Sequence, residues 1–378
     1  MPQQKPDIET YARIKVIGVG GGGGKAVTRM VDHKISGVDF ITINTDAQDL
    51  HLTKARSKIH IGKNLTKGLG AGMNPEVGRQ AAEENRDEIH EALKGADMIF
   101  LTGGLGGGTC SGAAPIIAEV SRDAGALVIG VVTRPFSFEG VQRLKIADEA
   151  WHLLKDRVDA LITIHNDRLL NVITKETSLI NAFTICDDVL RQAVQGISDL
   201  IITPGIINVD FADVRSIMSE AGSALMGIGF GVGEDRAVVA AKAAVSSPLL
   251  DVSINGARGV LFNVSGGADL TMWEINEAAK VITESIDKDA RVIFGAVEDE
   301  RLKKGEIKIT VIATGFSALP TAMHVSSRGE ERVEVRKVSA PPEFERRNLG
   351  APAPQAQTQE EEADWDAIPA FLRRNRGK

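Results

Sequence analysis

The sequence has few cysteines, few aromatic residues and no excess of basic residues. Cys110 and Cys186 are the only cysteines among 378 residues, and their separation matches neither a disulfide framework nor a zinc motif. Aromatic side chains make up 4% of the chain, so we expect a core of aliphatic residues. The formal net charge of −7 argues against a nucleic-acid partner, because neutralising phosphates requires a basic face.

Long apolar segments are also missing. The sequence has no apolar run of about 18 residues, the length that would span a bilayer. Residues 1–10 are polar, contain two prolines and lack the apolar stretch of a secretory signal. We therefore expect a cytoplasmic protein that does not insert directly into a membrane.

Short β-rich segments alternate with helical patterns along residues 13–175. The β-rich segments are 13–18, 39–44, 97–102, 126–133 and 159–165, and each precedes a Gly-rich or polar turn and a helical pattern. Continuous apolar strands that alternate with helices predict an α/β fold with a parallel sheet covered on both faces.

Residues 177–202 have apolar side chains at helical spacing, which predicts a long central helix ended by Pro204-Gly205. A second alternating region follows. Its predicted strands are 259–264, 291–296 and 307–313, and its predicted helices lie near 212–224, 234–245 and 271–286. Residues 317–362 contain prolines, glutamines and mixed charges without an apolar period, which is typical of a disordered linker.

The first β-rich segment runs into the glycine-rich stretch 18–24, and a helical pattern starts at Ala26. Glycine permits a sharp turn and close approach to an anion, and a helix N-terminus offers free N–H groups to it. The spacing also satisfies GxGxxG, the dinucleotide fingerprint. A Walker A loop is excluded, because Val19 occupies its first glycine position and Ala26 the position of its Mg²⁺-binding hydroxyl.

A second glycine-rich stretch, residues 103–112, follows the strand predicted at 97–102 and has six glycines in ten residues. A helical pattern follows at 113–123, and Thr109 is expected to cap it and to donate to phosphate. A NAD-type oxidoreductase needs only one such loop, whereas a nucleotide lying across several strand ends can use two. The oxidoreductase stays as an alternative that lacks a placed proton donor.

Residues 106–112 match GGGTxxG, and the sequence there resembles the tubulin/FtsZ family. Further stretches occur in the family's order: 18–27 (GVGGGGGKAV), 44–48 (NTDAQ), 66–78 (TKGLGAGMNPEVG), 134–140 (RPFSFEG) and 208–214 (NVDFADV). The likeness covers residues 12 to about 316 and the last 15. It implies a Rossmann-like GTP-binding domain, a central helix, a second α/β domain, and GTP or GDP as the ligand with Mg²⁺.

The resemblance also assigns site residues. Phosphates would lie against Gly21, Gly22, Gly23, Gly24, Lys25, Ala71, Gly72, Gly107, Gly108, Thr109 and Cys110. Glu139 and Arg143 would contact the ribose and phosphates, although their spacing also suits an ordinary surface ion pair. Asn166 and Asp187 would bind the guanine edge. Phe183 would stack on its face, although periodicity alone places Phe183 in a helix core.

Four positions depart from the family pattern. Lys25 replaces Asn, Cys110 replaces Gly, Ser111 replaces Thr and His165 replaces Pro. Lys25 should strengthen the phosphate contact, whereas Cys110 adds bulk to a tight loop and is interpreted as a small buried apolar residue. These departures leave open a scaffold that binds GTP without hydrolysing it.

An acidic segment at 208–213 is the candidate for catalysis. Asp210 and Asp213 are three residues apart at a predicted helix start, where aspartate ordinarily caps the helix. The resemblance implies instead that this loop enters the nucleotide pocket of the next subunit. Asp210 and Asp213 would there polarise the attacking water and organise the cation, and Asn208 would approach the γ-phosphate. A head-to-tail contact that does not close produces a filament.

The last residues, 364–378, resemble the family's terminal peptide. Ile368, Phe371 and Leu372 have the i, i+3, i+4 spacing of a segment that docks into a partner's groove. We predict six segments: an N-terminal segment at 1–12, a GTP-binding domain at 13–176, the central helix at 177–203, a C-terminal domain at 204–316, the linker at 317–362 and a tail at 363–378. The expected partners are further copies of the chain and membrane-tethering division proteins, and the expected place is mid-cell.

Overall fold

The carboxyl ends of six parallel strands meet at one edge of the sheet, and this edge determines where the site lies. The computed structural model describes residues 12–170, 177–203, 205–247, 254–299 and 301–316. The strands are β1 Ile14–Val19, β2 Val38–Asn44, β3 Ser57–His60, β4 Met98–Gly104, β5 Leu127–Arg134, β6 Ala160–His165, β7 Gly222–Val232, β8 Gly259–Gly266, β9 Arg291–Glu298 and β10 Glu306–Thr314.

Twelve helices are present in the described ranges, together with a 3₁₀ turn at Ser137–Glu139. They are α1 Gly20–Asp32, α2 Ala47–Leu52, α3 Lys63–Thr66, α4 Pro75–Glu84, α5 Arg86–Leu93, α6 Gly108–Asp123, α7 Val141–Lys155, α8 Asn166–Leu169, α9 Leu179–Ile202, α10 Phe211–Met218, α11 Arg236–Val245 and α12 Met272–Thr283.

The ten strands form one sheet in the order β3-β2-β1-β4-β5-β6-β7-β10-β8-β9. From β3 to β7 in this order, each adjacent pair of strands is parallel, and β10 is antiparallel to both β7 and β8. β7 joins the two parts: Gly222–Ala224 pair with β6, and Leu225–Val232 pair with β10. The mixed α/β fold with its parallel sheet and central helix is confirmed.

Helices cover both faces of the parallel part. On one face, Val16, Phe100 and Ile129 pack in a buried cluster with residues of α1, α9 and α10. On the other face, Ile17 and Val128 pack with residues of α4, α5, α6 and α7. A third buried cluster lies in the second part of the sheet, against α11 and α12. Among the described helices, none combines the length and apolarity needed to cross a bilayer.

The structure corrects several sequence expectations about local elements. α1 starts at Gly20, not Ala26, and α6 starts at Gly108, not Ala113. The helix expected at 212–224 ends at Met218, and a strand follows from Gly222. Glycine's low intrinsic helix propensity hid the true helix starts, because tertiary contacts and not propensity stabilise these turns.

β3 and β7 were not predicted from the sequence. β7 contains glycines at 227, 229 and 231, which weaken any strand pattern. A Cβ atom at these positions would collide with backbone oxygens of Ala244, Ala240 and Arg236 in α11. The glycines therefore allow α11 to approach the strand closely. The predicted segments 1–12, 317–362 and 363–378 fall on or almost wholly on residues outside the described ranges, and the domain boundaries stay predictions.

Candidate functional site

A cavity of about 370 Å³ opens at the carboxyl edge of the parallel strands, the edge at which α/β proteins bind ligands. Its walls come from the β1–α1 and β4–α6 junctions, the segment after β5, the start of α8 and the first half of α9. Of the predicted site residues, the following line it: Gly21, Gly22, Lys25, Gly72, Gly107, Gly108, Thr109, Cys110, Glu139, Arg143, Asn166, Phe183 and Asp187.

The N-terminus of α1 forms one end of the cavity. The N-cap is Val19, whose hydrocarbon side chain has no acceptor for the first N–H groups of α1. These N–H groups therefore remain available to a ligand. A side chain at Gly23 would come within 2.6 Å of the Thr102 oxygen on β4. The absence of a side chain at Gly23 therefore lets the helix start lie against the sheet. Gly23 and Gly24 are buried and do not line the cavity. Their role in phosphate binding stays a prediction.

The N-terminus of α6 forms the adjacent wall. Gly107 is the N-cap, and a Cβ atom there would meet nothing within 4 Å. The expected cap by Thr109 is not made, because Thr109 lies inside the helix and its hydroxyl shares a 2.7 Å hydrogen bond with that of Thr45. Thr45 is fully buried. The hydrogen bond to Thr45, in the loop after β2, therefore fixes the Thr109 side chain at the cavity wall.

The loop at 71–74 is tied to the start of α6. The Gly108 N–H donates to the Gly72 carbonyl at 2.8 Å, and Ala71 is 8% exposed. A Cβ atom at Gly108 would lie 2.6 Å from the Gly72 oxygen and 2.8 Å from the Ala71 oxygen. Only glycine permits this approach. Gly72 lines the cavity and Ala71 does not, so direct contact of Ala71 with a ligand stays a prediction.

Glu139 and Arg143 form an ion pair beside the cavity. Arg143 Nη1 donates to Glu139 Oε2 at 2.6 Å, and Glu139 Oε1 accepts from the Phe136 N–H at 2.9 Å. The Glu139 side chain is 14% exposed and that of Arg143 is 42% exposed. The pair expected from the i,i+4 spacing is thus present, and it also faces the predicted site.

Asn166 and Phe183 give another part of the cavity wall a buried acceptor and an exposed aromatic ring. Asn166 is 5% exposed, and its Oδ1 has no hydrogen-bond partner within the described part of the chain. Phe183 is 40% exposed and meets the buried Phe136 edge to face, with ring centroids 5.5 Å apart. An exposed aromatic face beside a buried acceptor that lacks a donor suits a planar heterocycle with N–H groups.

Asp187 is a half-buried carboxylate on the same helix. Burial raises its pKa, while Arg29 and Lys25 act in the opposite direction. Arg29 Nε donates to Asp187 Oδ2 at 3.3 Å, and Arg29 Nη2 donates to Thr184 Oγ1 at 2.8 Å. The sequence reasoning did not identify Arg29. Its position four residues after Lys25, on the same side of α1, is the signal that could have found it.

Both cysteines line the cavity. Burial raises the pKa of each thiol to about 12, so both are neutral thiols at physiological pH. The Cys110 sulfur packs against Gly103 on β4, in agreement with its interpretation as a small buried residue. Ser111 accepts from the Gly106 N–H at 2.9 Å and so retains a hydroxyl contact in the loop. Cys186 was not among the predicted site residues.

The acidic segment lies apart from the cavity. Asp210 is the N-cap of α10 and accepts from the Ala212 N–H at 3.2 Å, and Asp213 is exposed in the first turn. Asn208 Oδ1 accepts from the Gly205 N–H at 2.6 Å. The capping expected for an aspartate at a helix start is therefore made. None of the three residues lines the cavity of its own chain.

The described residues contain no group of three or more His, Cys, Asp or Glu side chains arranged to hold a metal ion. This is compatible with Mg²⁺, which usually retains several waters and binds through substrate phosphates with one or two carboxylates.

This chain is similar in sequence and fold to known proteins. The model of the GTPase domain of the Tubulin/FtsZ family matches residues 13–174, and that of the C-terminal domain of the FtsZ family matches residues 222–317. An empty FtsZ dimer from M. jannaschii is 45% identical, with a TM-score of 0.78, over 82% of this chain and 89% of that chain. A GTPγS-bound protofilament of CetZ2 from Haloferax volcanii is similar in fold, with 21% identity, a TM-score of 0.69, and coverage of 80% of this chain and 92% of that chain.

Proposed function

This chain belongs to the tubulin/FtsZ family and is a GTPase that binds guanine nucleotide, and from this premise we propose that it polymerises head to tail and completes its active site at each subunit contact. The observation that supports this most directly is the separation of the acidic segment from the cavity of its own chain.

The base would lie at the end of the cavity formed by Asn166, Phe183 and Asp187. Guanine presents two adjacent donors, N1–H and the 2-amino group, and these match the Asp187 carboxylate and the unpartnered Asn166 Oδ1. Adenine has an acceptor at N1 and no 2-amino group, so it would leave the buried acceptors without donors. An unsatisfied buried polar group costs about 1–3 kcal/mol, which is enough to discriminate between the bases.

The phosphates would lie between the N-termini of α1 and α6. The N-termini of both helices and the Lys25 ammonium would supply positive charge there. Arg143, held by Glu139, would contact the ribose and phosphates from the third side. Mg²⁺ would be bound by phosphate oxygens together with carboxylates of the incoming acidic segment, and it would reduce the charge repulsion at the γ-phosphate.

α9 separates the acidic segment from the cavity of its own chain, which supports a role for this segment at the cavity of a neighbouring subunit. α9 has 24 residues, and the roughly 15 residues from Asp187 to its end at Ile202 span about 22 Å. Phe183 and Asp187 lie near its start, and Asn208, Asp210 and Asp213 follow its end. In the neighbouring subunit, Asp210 and Asp213 would orient and polarise the attacking water while Asn208 approaches the γ-phosphate. Phosphoryl transfer needs mainly positioning and charge stabilisation, which a docked loop provides.

The solved FtsZ dimer of M. jannaschii supports self-association by analogy. Repetition of one head-to-tail contact would give a filament, and such filaments would form a division scaffold at mid-cell in the cytoplasm. The tail at 364–378 lies outside the described residues. From its sequence we propose that it recruits the membrane-tethering division proteins.

Phosphate release measured against protein concentration tests the proposal. A GTPase with a shared site should have a threshold concentration, above which release per subunit rises steeply and the protein sediments with GTP. A scaffold that does not hydrolyse GTP would sediment without releasing phosphate. Release that is strictly proportional to concentration, with no sedimentation, would refute assembly.

A further inference from the structure

Arg29 connects two helices that both contribute to the cavity, α1 and α9. It lies on α1, whose N-terminus forms the phosphate end, and its guanidinium reaches α9 at the base end. Nε donates to Asp187 Oδ2 at 3.3 Å, and Nη2 donates to Thr184 Oγ1 at 2.8 Å. Thr184 and Asp187 are three residues apart, so they lie on the same face of α9. The side chain of Arg29 is 31% exposed and that of Asp187 is 16% exposed.

The contact affects how Asp187 presents its carboxylate. An aspartate side chain turns about two torsions, and the second of these has a broad energy minimum. Recognition of two adjacent donors requires the carboxylate plane to be fixed relative to the base. Arg29 donates one hydrogen bond to Asp187 Oδ2 and another to Thr184 Oγ1. Its planar guanidinium therefore restrains the carboxylate in a way that a single flexible ammonium would not.

We propose that Arg29 is a positioning residue for guanine recognition, holding the Asp187 carboxylate in the orientation that accepts from N1–H and the 2-amino group. This inference rests on the proposed assignment of the base to Asn166, Phe183 and Asp187. Arg29 would also connect the helix that faces the phosphates with the carboxylate that faces the base. Gly20 and Arg29 are about 13 Å apart along one helix, so a single rigid element contacts the phosphates and orients the base-reading carboxylate.

Two other roles for Arg29 give different outcomes. Arg29 and the base could compete for the same carboxylate, in which case removing Arg29 would tighten binding. Arg29 could also merely stabilise the contact between α1 and α9, or attract the phosphates by its charge. Removing it would then weaken all nucleotides by the same factor, whatever their base.

The experiment titrates the full chain, freed of nucleotide, with GDP, IDP and ADP in a calorimeter. Diphosphates avoid hydrolysis, and IDP differs from GDP only by lacking the 2-amino group. Arg29→Ala should weaken GDP by about tenfold, the equivalent of one charge-assisted hydrogen bond, and IDP by clearly less. The ratio of GDP to IDP affinity should therefore fall towards one. Arg29→Lys should restore part of the ratio, and Thr184→Val should lower it to an intermediate value.

Arg13→Ala is the matched control. Arg13 Nε lies 3.4 Å from Asp97 Oδ2, so the variant removes a similar ion pair at the opposite end of β1. It should leave both affinities unchanged. Circular dichroism establishes whether each variant is folded. If Arg29→Ala does not fold, the ratio of GDP to IDP affinity in Thr184→Val, which keeps the ion pair, decides the question.

Equal weakening of GDP and IDP in Arg29→Ala, or tighter GDP binding, would overturn the inference while leaving the proposed function intact. A wild-type protein that binds GDP no better than ADP would instead overturn the proposed base site, and the inference with it. A wild-type preference for GDP that disappears only in the Arg29 and Thr184 variants supports both.

Discussion

Replacement of Asp213 by alanine should separate GTP hydrolysis from GTP binding. Asp213 is exposed in the first turn of α10, where a carboxylate interacts favourably with the helix N-terminus. Losing that interaction costs about 0.3–1 kcal/mol of folding free energy. The cap made by Asp210 is retained, so the variant should fold. Because Asp213 does not line the cavity of its own chain, its affinity for GDP should equal that of wild type.

The effect on turnover should be far larger than the effect on stability. Removing one preorganised group that stabilises the transition state typically lowers kcat by about 10²–10³, or about 2.7–4 kcal/mol. Asp213→Ala should therefore lose at least about a hundredfold in phosphate release above the assembly threshold. Its unfolding free energy should change by no more than about 1 kcal/mol, measured by urea denaturation.

Asp210 allows the charge to be tested apart from the cap. Its side chain accepts from the Ala212 N–H, so alanine at this position removes both the cap and the charge. Serine is also a preferred N-cap residue, so Asp210→Ser should retain the stability of α10. If the carboxylate acts on the neighbouring nucleotide, Asp210→Ser and Asp210→Ala should be equally slow, although only Asp210→Ala is destabilised.

A mixing assay tests whether the site is shared. Thr109 lies at the start of α6 and lines the cavity, so Thr109→Arg should obstruct nucleotide binding and leave the acidic segment intact. Neither Thr109→Arg nor Asp213→Ala should release appreciable phosphate alone. Their mixture should release more than the sum of the two, because some contacts pair an intact cavity with an intact acidic segment. Full turnover by Asp213→Ala alone, or wild-type turnover per subunit that survives dilution to monomers, would refute the shared site.

Three further expectations can be tested independently. Asp187→Asn should weaken GDP binding and reduce its preference over ADP, because the amide presents an N–H to guanine's donors in place of an acceptor; calorimetry measures both. A chain ending at residue 316 should still sediment with GTP and should lose binding to membrane-tethering proteins. Cys110 and Cys186, whose thiol pKa values lie at about 12, should react with iodoacetamide at pH 8 on the order of a thousandfold more slowly than an exposed cysteine.

Each of these expectations has its own control and its own contradicting result. For Asp187→Asn, the control is the affinity for inorganic triphosphate, which should not change; an unaltered base preference would contradict the assignment. For the shortened chain, failure to sediment would contradict dispensability of the tail in assembly, and retained tether binding would contradict its recruiting role. For the cysteines, fast alkylation of folded protein at the rate found in denaturant would contradict their burial.

The sequence alone predicted the fold class and most of the cavity. Strand positions agreed within a residue or two for the eight predicted strands. Five of these strands lie in the parallel part of the sheet, where strands buried on both faces are continuous apolar runs. The two glycine stretches indicated where anions would bind, since such density has few other physical uses. The family resemblance added Asn166, Phe183 and Asp187, which the structure brings together although they lie on two elements.

Tertiary structure decided what local pattern could not. α1 and α6 begin inside their glycine stretches because the sheet stabilises turns that glycine alone disfavours. β7 is a strand because its glycines admit α11, a contact between residues that are not adjacent in sequence. Arg29 reaches Asp187 across 158 positions, and Asp213 lies beyond the far end of a 24-residue helix. The sequence therefore determined which chemical groups are available, and the packing of the helices on the sheet determined which of these groups line one cavity.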